Sequence, residues 1–196
     1  MYYQRKRVFY PVQKAHLRFA MFAAIVIVLR LASPPTGLVS YLALSVYATR
    51  GGRYVLQAFV LSWFITMINP AISPTVPGGE MARYLVIFSV AWSCLVRFFS
   101  SKERANVSKH ALIIGFLTIL LLLHSVFLSQ MPTVSFLKAL VWSISVFSIT
   151  FAVGSLSPEE MDTTVTSIIG FLAITVIASV VLIPTAAGFF RNGAGF

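Results

Sequence analysis

Seven stretches of the chain are almost wholly apolar, and short polar gaps divide them. They run roughly over 17–33, 36–49, 54–70, 81–99, 110–129, 134–156 and 163–185. A helix that crosses a bilayer needs about 20 apolar residues, within a range of about 17 to 25. The second stretch falls short of that length and the third is marginal. Seven transmembrane helices are therefore the expectation. Six is the runner-up, with 36–49 tilted or re-entrant, or the first two stretches forming one broken unit. Alternation with a period of two, which a barrel would show, is absent, and open sheet edges are not tolerated in lipid. The pattern predicts an all-α, polytopic integral membrane protein.

Composition agrees. Hydrophobic residues make up 58% of the 196 residues, 17 of them Phe, and mean hydropathy is +0.89. A water-soluble domain of this size would expose more apolar surface than water tolerates, so the bilayer is the expected solvent. The single Cys94 rules out an internal disulfide frame and a multi-cysteine metal site. The basic start Arg5-Lys6-Arg7 and the apolar run Phe19 to Leu29 have the look of a secretory signal. Arg30 and Pro34-Pro35 stand where small residues would be needed for cleavage, so a retained first span is expected.

Charge then sets orientation. Only 10% of residues are charged, yet the net charge is +10. In a soluble protein this excess would suggest nucleic acid. Here the cations cluster in the gaps between apolar runs, as in membrane proteins that obey the positive-inside rule, and no nucleic-acid partner is expected. With a cytoplasmic N-terminus and seven spans, eleven of the fifteen basic residues face inward: Arg5, Lys6, Arg7, Lys14, Arg18, Arg50, Arg53, Arg97, Lys102, Arg104 and Lys109. Arg30, Arg83, Lys138 and Arg191 face outward. If 36–49 did not cross, Arg50 and Arg53 would lie outside and every later gap would invert. The charge distribution therefore favours the second crossing. The chain divides into a basic cytoplasmic segment over 1–16, a membrane domain over 17–185 and an outer segment over 186–196.

The gaps differ in chemistry. Asn69 to Gly79 carries three prolines and two glycines, which end a helix and form a loop at the outer face. Ser100 to Lys109 mixes Lys102, Glu103, Arg104 and Lys109, suited to anionic head groups and to setting topology. Its Asn106-Val-Ser108 matches a glycosylation sequon on the wrong face and is read as chance. Ser157-Pro158-Glu159-Glu160 predicts a helix start, with Pro in the first turn and acids near the positive dipole end.

Polar residues inside the spans read mainly as packing. Ser143, Ser145, Ser148, Thr150 and Ser155 lie along the sixth stretch. Thr163, Thr166, Gly170 and Ala173 lie at helical spacing along the seventh. Small and hydroxyl faces allow close helix approach. His124, near the outer end of the fifth, has no second His or acid at ligand spacing, so neither a metal nor another cofactor is expected. Trp63, Trp92, Trp142 and the tyrosines fit an interfacial belt or helix packing.

The four outward cations are what topology does not require. Each alone suits a snorkelling structural side chain. As a set they suit an anion such as phosphate or pyrophosphate, which guanidinium groups hold bidentately. At the chain's end, Arg191-Asn192-Gly193-Ala194-Gly195-Phe196 follows the seventh stretch, His124-Ser125 closes the fifth, and Ser135-Phe136-Leu137-Lys138 opens the sixth. With the order and spacing of the spans, these residues resemble the O-antigen ligase and polysaccharide polymerase superfamily of bacterial inner-membrane glycosyltransferases.

That resemblance implies transfer of a glycan from an undecaprenyl-pyrophosphate carrier to an acceptor sugar on the periplasmic side, without a metal. Arg191, with Asn192 beside it, would be the first contact of the pyrophosphate, and Arg83 and Lys138 weaker ones. No catalytic residue is assigned, because the family's large periplasmic loop has no counterpart here. Members of the family are about twice this length. The chain is thus expected to correspond to their N-terminal half, to be inactive alone, and to need a C-terminal half or second chain. A small transporter or an accessory membrane subunit is the rival expectation. Segments three to seven carry almost no charge at their centres, which weighs against ion coupling.

Overall fold

A computed structural model describes residues 5–68, 76–100 and 109–190 of the chain. These residues form seven helices and no strand. In chain order they are α1 (Arg5–Ala32), α2 (Pro34–Ala48), α3 (Arg53–Met67), α4 (Gly79–Ser100), α5 (Lys109–Phe127), α6 (Pro132–Gly154) and α7 (Pro158–Phe190). The loop over 69–75 and the segment over 101–108, with its Lys102, Glu103, Arg104 and Asn106, lie outside the described residues, as do Arg191 and Asn192.

Local chemistry explains the breaks. A single residue, Ser33, separates α1 from α2. Pro34 and Pro35 have no N–H to donate, so the first helix cannot run on through them. Ser33 is extended (φ −165°) and closes a capping box with Thr36. Its backbone N–H donates to Thr36 Oγ1 at 3.0 Å, and Thr36 N–H donates to Ser33 Oγ at 3.4 Å. Pro34 occupies the first turn of α2, where a missing N–H costs nothing. The start of α7 repeats the device. Ser157 N–H donates to Glu160 Oε2 at 3.1 Å and Glu160 N–H donates to Ser157 Oγ at 3.3 Å, as the sequence predicts.

Antiparallel neighbours make the core. Tyr41 on α2 is 3.1 Å from Thr66 Oγ1 on α3, while Tyr47 near the end of α2 donates to Gln57 near the start of α3. Phe22 of α1 stacks on Tyr47 with ring centroids 4.0 Å apart. The Cys94 thiol of α4 donates to the Ser148 carbonyl of α6 at 3.3 Å and ties these two helices together. Phe171 of α7 meets both Phe19 of α1 and Phe64 of α3 edge-on, and His16 Nδ1 lies 2.6 Å from Ser167 Oγ. The buried core draws on α1 to α4 and on Ala152 of α6, with α7 packed against it. Among the described residues α5 contributes nothing to that core and lies mainly along α6.

Beside that apolar core, the side chains depart from a soluble protein's pattern. Ser40 and Ser62 are fully buried, and Ser45, Ser93, Ser143, Ser145 and Ser148 nearly so, whereas Trp92, Phe116 and Ile174 are more than 60% exposed. Three of these serines are satisfied by their own helices: Ser40 donates to Gly37 O at 2.6 Å, Ser62 to Phe59 O at 2.7 Å and Ser145 to Val141 O at 2.8 Å, whereas Ser143 Oγ is buried without a partner among the described residues. Serines bonded to their own helix in this way permit close packing. Three helical stretches, Lys14–Ala32, Pro132–Gly154 and Pro158–Ala178, are long and apolar enough to cross a bilayer. This is the pattern of a membrane protein.

The short helices are informative too. α2 and α3 have 15 residues each, a length of about 22 Å against a hydrocarbon core of about 30 Å. Among the described residues, most of the small face of α7 packs against nothing. Thr166, Gly170 and Ala173 are exposed, and a Cβ on Gly170 would meet nothing within 4 Å. The face that α7 turns inward carries Thr164, Ser167, Ile168 and Phe171 instead. The serine face of α6 does pack, with Ser143, Ser145 and Ser148 all buried.

Candidate functional site

Two groups of cations lie at opposite ends of the bundle. One end holds the last turn of α1, the start of α2, the end of α3 and the starts of α4 and α6. Arg30 belongs to the last turn of α1 and is buried at 8% exposure. Arg83, in the second turn of α4, lays its guanidinium over two rings, 5.1 Å from the Trp63 centroid and 5.6 Å from that of Tyr84. Its Nε is buried and makes no hydrogen bond among the described residues. A guanidinium fixed on indole gains about 0.5 to 2 kcal/mol from the ring quadrupole and stays charged. Lys138 is exposed in the second turn of α6.

Arg30, Arg83 and Lys138 thus share one end of the bundle, as the outward set requires, but they line neither of the cavities described below. Arg191 and Asn192 lie beyond the described residues. His124 is exposed near the end of α5, and no group of three metal-ligating side chains occurs among the described residues.

The opposite end holds a cavity of about 280 Å³ lined by Ala15, Arg18 and Phe22 of α1, Tyr47 and Arg50 at the end of α2, and Arg53, Tyr54 and Gln57 of α3. The turn that carries two of its arginines is Arg50-Gly51-Gly52-Arg53. Gly51 and Gly52 have φ of +73° and +57°, a region that costs a side-chain-bearing residue about 1–2 kcal/mol. This left-handed pair reverses the chain within the turn. Gly51 N–H donates to Ala48 O at 3.1 Å and Tyr54 N–H donates to Gly51 O at 3.2 Å.

Aromatic rings hold the cations in place. Arg53 Nη2 donates to the Tyr54 hydroxyl at 3.1 Å and its Cζ is 5.0 Å from that ring's centroid. Arg50 Cζ lies 5.7 Å from the Tyr47 centroid and 5.8 Å from that of Tyr54. The two rings meet edge-on at 5.0 Å. Tyr47 in turn is fixed by its 2.7 Å hydrogen bond to Gln57 Oε1, and Gln57 is only 3% exposed. Sequence reasoning assigned Arg18, Arg50 and Arg53 to topology alone. The signal it passed over is the placement of Tyr47 and Tyr54 three and four residues from Arg50, flanking a double-glycine turn with arginine on both sides.

A second, more open cavity of about 430 Å³ runs along α4, lined by Leu85, Phe88, Ser89, Ala91, Trp92 and Leu95, with Thr49 from the end of α2. Its walls are mostly apolar.

Comparison with protein-family models, with curated proteins and with solved structures finds no match for this chain. Fold and geometry therefore carry the functional reading, and they define an all-helical membrane protein.

Proposed function

We propose that the chain is a seven-span protein of the bacterial inner membrane, with its N-terminus in the cytoplasm and the Arg83 end facing the periplasm. There it serves as the membrane portion of a glycan ligase or polymerase of the O-antigen type. Its ligand is an undecaprenyl-pyrophosphate-linked glycan, and Arg83, Lys138, Arg191 and Asn192 are its phosphate contacts. The observation that carries this reading is Arg83: a cation packed on Trp63 and Tyr84, with a buried Nε that no described residue bonds.

The chemistry follows from that arrangement. Transfer of the glycan releases a pyrophosphate whose negative charge grows as the bond breaks. A guanidinium held in place beforehand stabilises that charge without reorganising at the moment of transfer. Lys138, on the same end of the bundle, adds a mobile point charge. The test is binding of undecaprenyl pyrophosphate to the protein in nanodiscs. Arg83→Ala is expected to weaken it at least about tenfold, the cost of one charge-assisted contact. Unchanged affinity in that variant contradicts the reading.

A second reading is an accessory subunit that binds other membrane proteins. The open face of Thr166, Gly170 and Ala173 on α7 favours it, because small residues let a partner helix approach closely. Co-purification that survives in wild type and is lost on Gly170→Leu supports that reading, whereas an unchanged partner set contradicts it.

A further inference from the structure

The cavity at the other end of the bundle has a chemistry that topology does not demand. The positive-inside rule asks only that cations lie on the cytoplasmic side. Their usual place is in water or among head groups, spread apart by mutual repulsion. Here Arg18, Arg50 and Arg53 converge on one cavity of about 280 Å³, and no carboxylate stands among its lining residues. Three guanidinium groups brought together without an acid repel one another, and a bound anion removes that cost.

Three further features point to a ligand. Arg50 and Arg53 are held on the Tyr47 and Tyr54 rings, and Arg53 by a hydrogen bond as well, so little side-chain freedom is lost on binding. Gln57 lines the cavity while nearly fully buried, and its Oε1 is already taken by the Tyr47 hydroxyl. What remains on that side chain is an NH₂ group, a donor suited to an anion's oxygen. The third feature is the turn. Its positive-φ glycines put an arginine at the end of α2 and another at the start of α3, where the α3 dipole also favours negative charge.

From this geometry we infer that the cavity is an anion site for a phosphate group, held by Arg18, Arg50 and Arg53 with Gln57 as a neutral donor. Planar guanidinium groups match phosphate oxygens bidentately. The volume sits just below the ~300–1,000 Å³ of small-molecule sites, which suits a phosphorylated head group or a small phosphate compound rather than a large ligand. The same chemistry is offered by an anionic phospholipid and by a soluble phosphate. The apolar groove along α4 begins at Thr49, the residue before Arg50, where an acyl chain would lie. The site is independent of the Arg83 reading.

Phenylglyoxal labelling of arginines, read residue by residue by mass spectrometry, tests the site and separates the two sources. The full chain is reconstituted in phosphatidylcholine nanodiscs with and without inorganic pyrophosphate, and in nanodiscs containing phosphatidic acid. Saturable protection of Arg18 and Arg50 by pyrophosphate assigns a soluble phosphate. Protection by phosphatidic acid alone assigns a lipid head group. At a ligand level ten times Kd, labelling of these residues slows about tenfold. Gln57→Leu lowers the protection, whereas Gln130→Leu, exposed between α5 and α6, leaves it unchanged. Absence of protection by either ligand overturns the proposal. So does an equal slowing at every arginine of the chain, or a loss in Gln130→Leu as large as in Gln57→Leu. Because Arg83 is read in the same spectrum, failure here and failure of the outer site are told apart.

Discussion

The Arg97 side chain of α4 lies directly on Gly51, so close that a Cβ at that glycine would collide with its Nε. The contact ties α4 to the turn between α2 and α3, and through that turn to Arg50 and Arg53.

Gly51→Ala therefore meets two obstacles. The backbone φ of +73° costs about 1–2 kcal/mol for a residue with a Cβ, and the methyl must displace Arg97. Arg97→Ala in the same chain relieves the second obstacle and leaves the first. The expected result is a lowered unfolding temperature in detergent for Gly51→Ala, recovered only in part by the double substitution.

Tyr47 and Gln57 form a buried pair at 2.7 Å. Tyr47→Phe strands Gln57 Oε1, and Gln57→Leu strands the tyrosine hydroxyl, each at about 1–3 kcal/mol. Replacing both leaves neither group stranded. A double-mutant cycle on thermal stability is expected to show the double variant losing less than the two single losses together.

Ser33→Ala removes the side chain that caps α2. A lost N-cap costs about 0.5–2 kcal/mol. The effect exceeds that of Ser157→Ala, whose box is fully exposed and competes with water. Relative unfolding temperatures of the two variants check the order.

Cys94 is 7% exposed and its thiol donates to the Ser148 carbonyl. Burial and an apolar setting make a thiol inert. A maleimide reagent is expected to leave it unmodified in the folded protein and to label it on denaturation. Fast labelling of the folded chain would contradict the packing of α4 on α6.

The long apolar stretches of α1, α6 and α7 were legible because a spanning helix must match the bilayer's thickness in apolar length. Pro34-Pro35 and Ser157-Pro158 marked two starts for reasons of backbone chemistry alone. Which face of α7 turns inward was not legible, because Thr163, Thr166, Gly170 and Ala173 show helical spacing, and spacing does not say what covers a face. Arg83 was singled out by its excess over the charge rule. The ring contacts that hold it depend on Trp63, twenty residues away on another helix. The arginine cavity was missed because the rule that explains its cations as a group says nothing of their convergence, and Arg18 joins Arg50 and Arg53 only through the packing of α1 against α2 and α3.

The proposed function requires the bundle's two cation-bearing ends to face opposite sides of the membrane, with Arg83 outside. Cysteine accessibility in intact cells tests this most directly. On a Cys94→Ser background, single cysteines replace the exposed Pro77, beside the start of α4, and the exposed Thr49, beside Arg50. An impermeant maleimide is expected to label the position-77 variant in intact cells and the position-49 variant only after the inner membrane is opened. Labelling of both in intact cells, or the reverse order, would contradict the account.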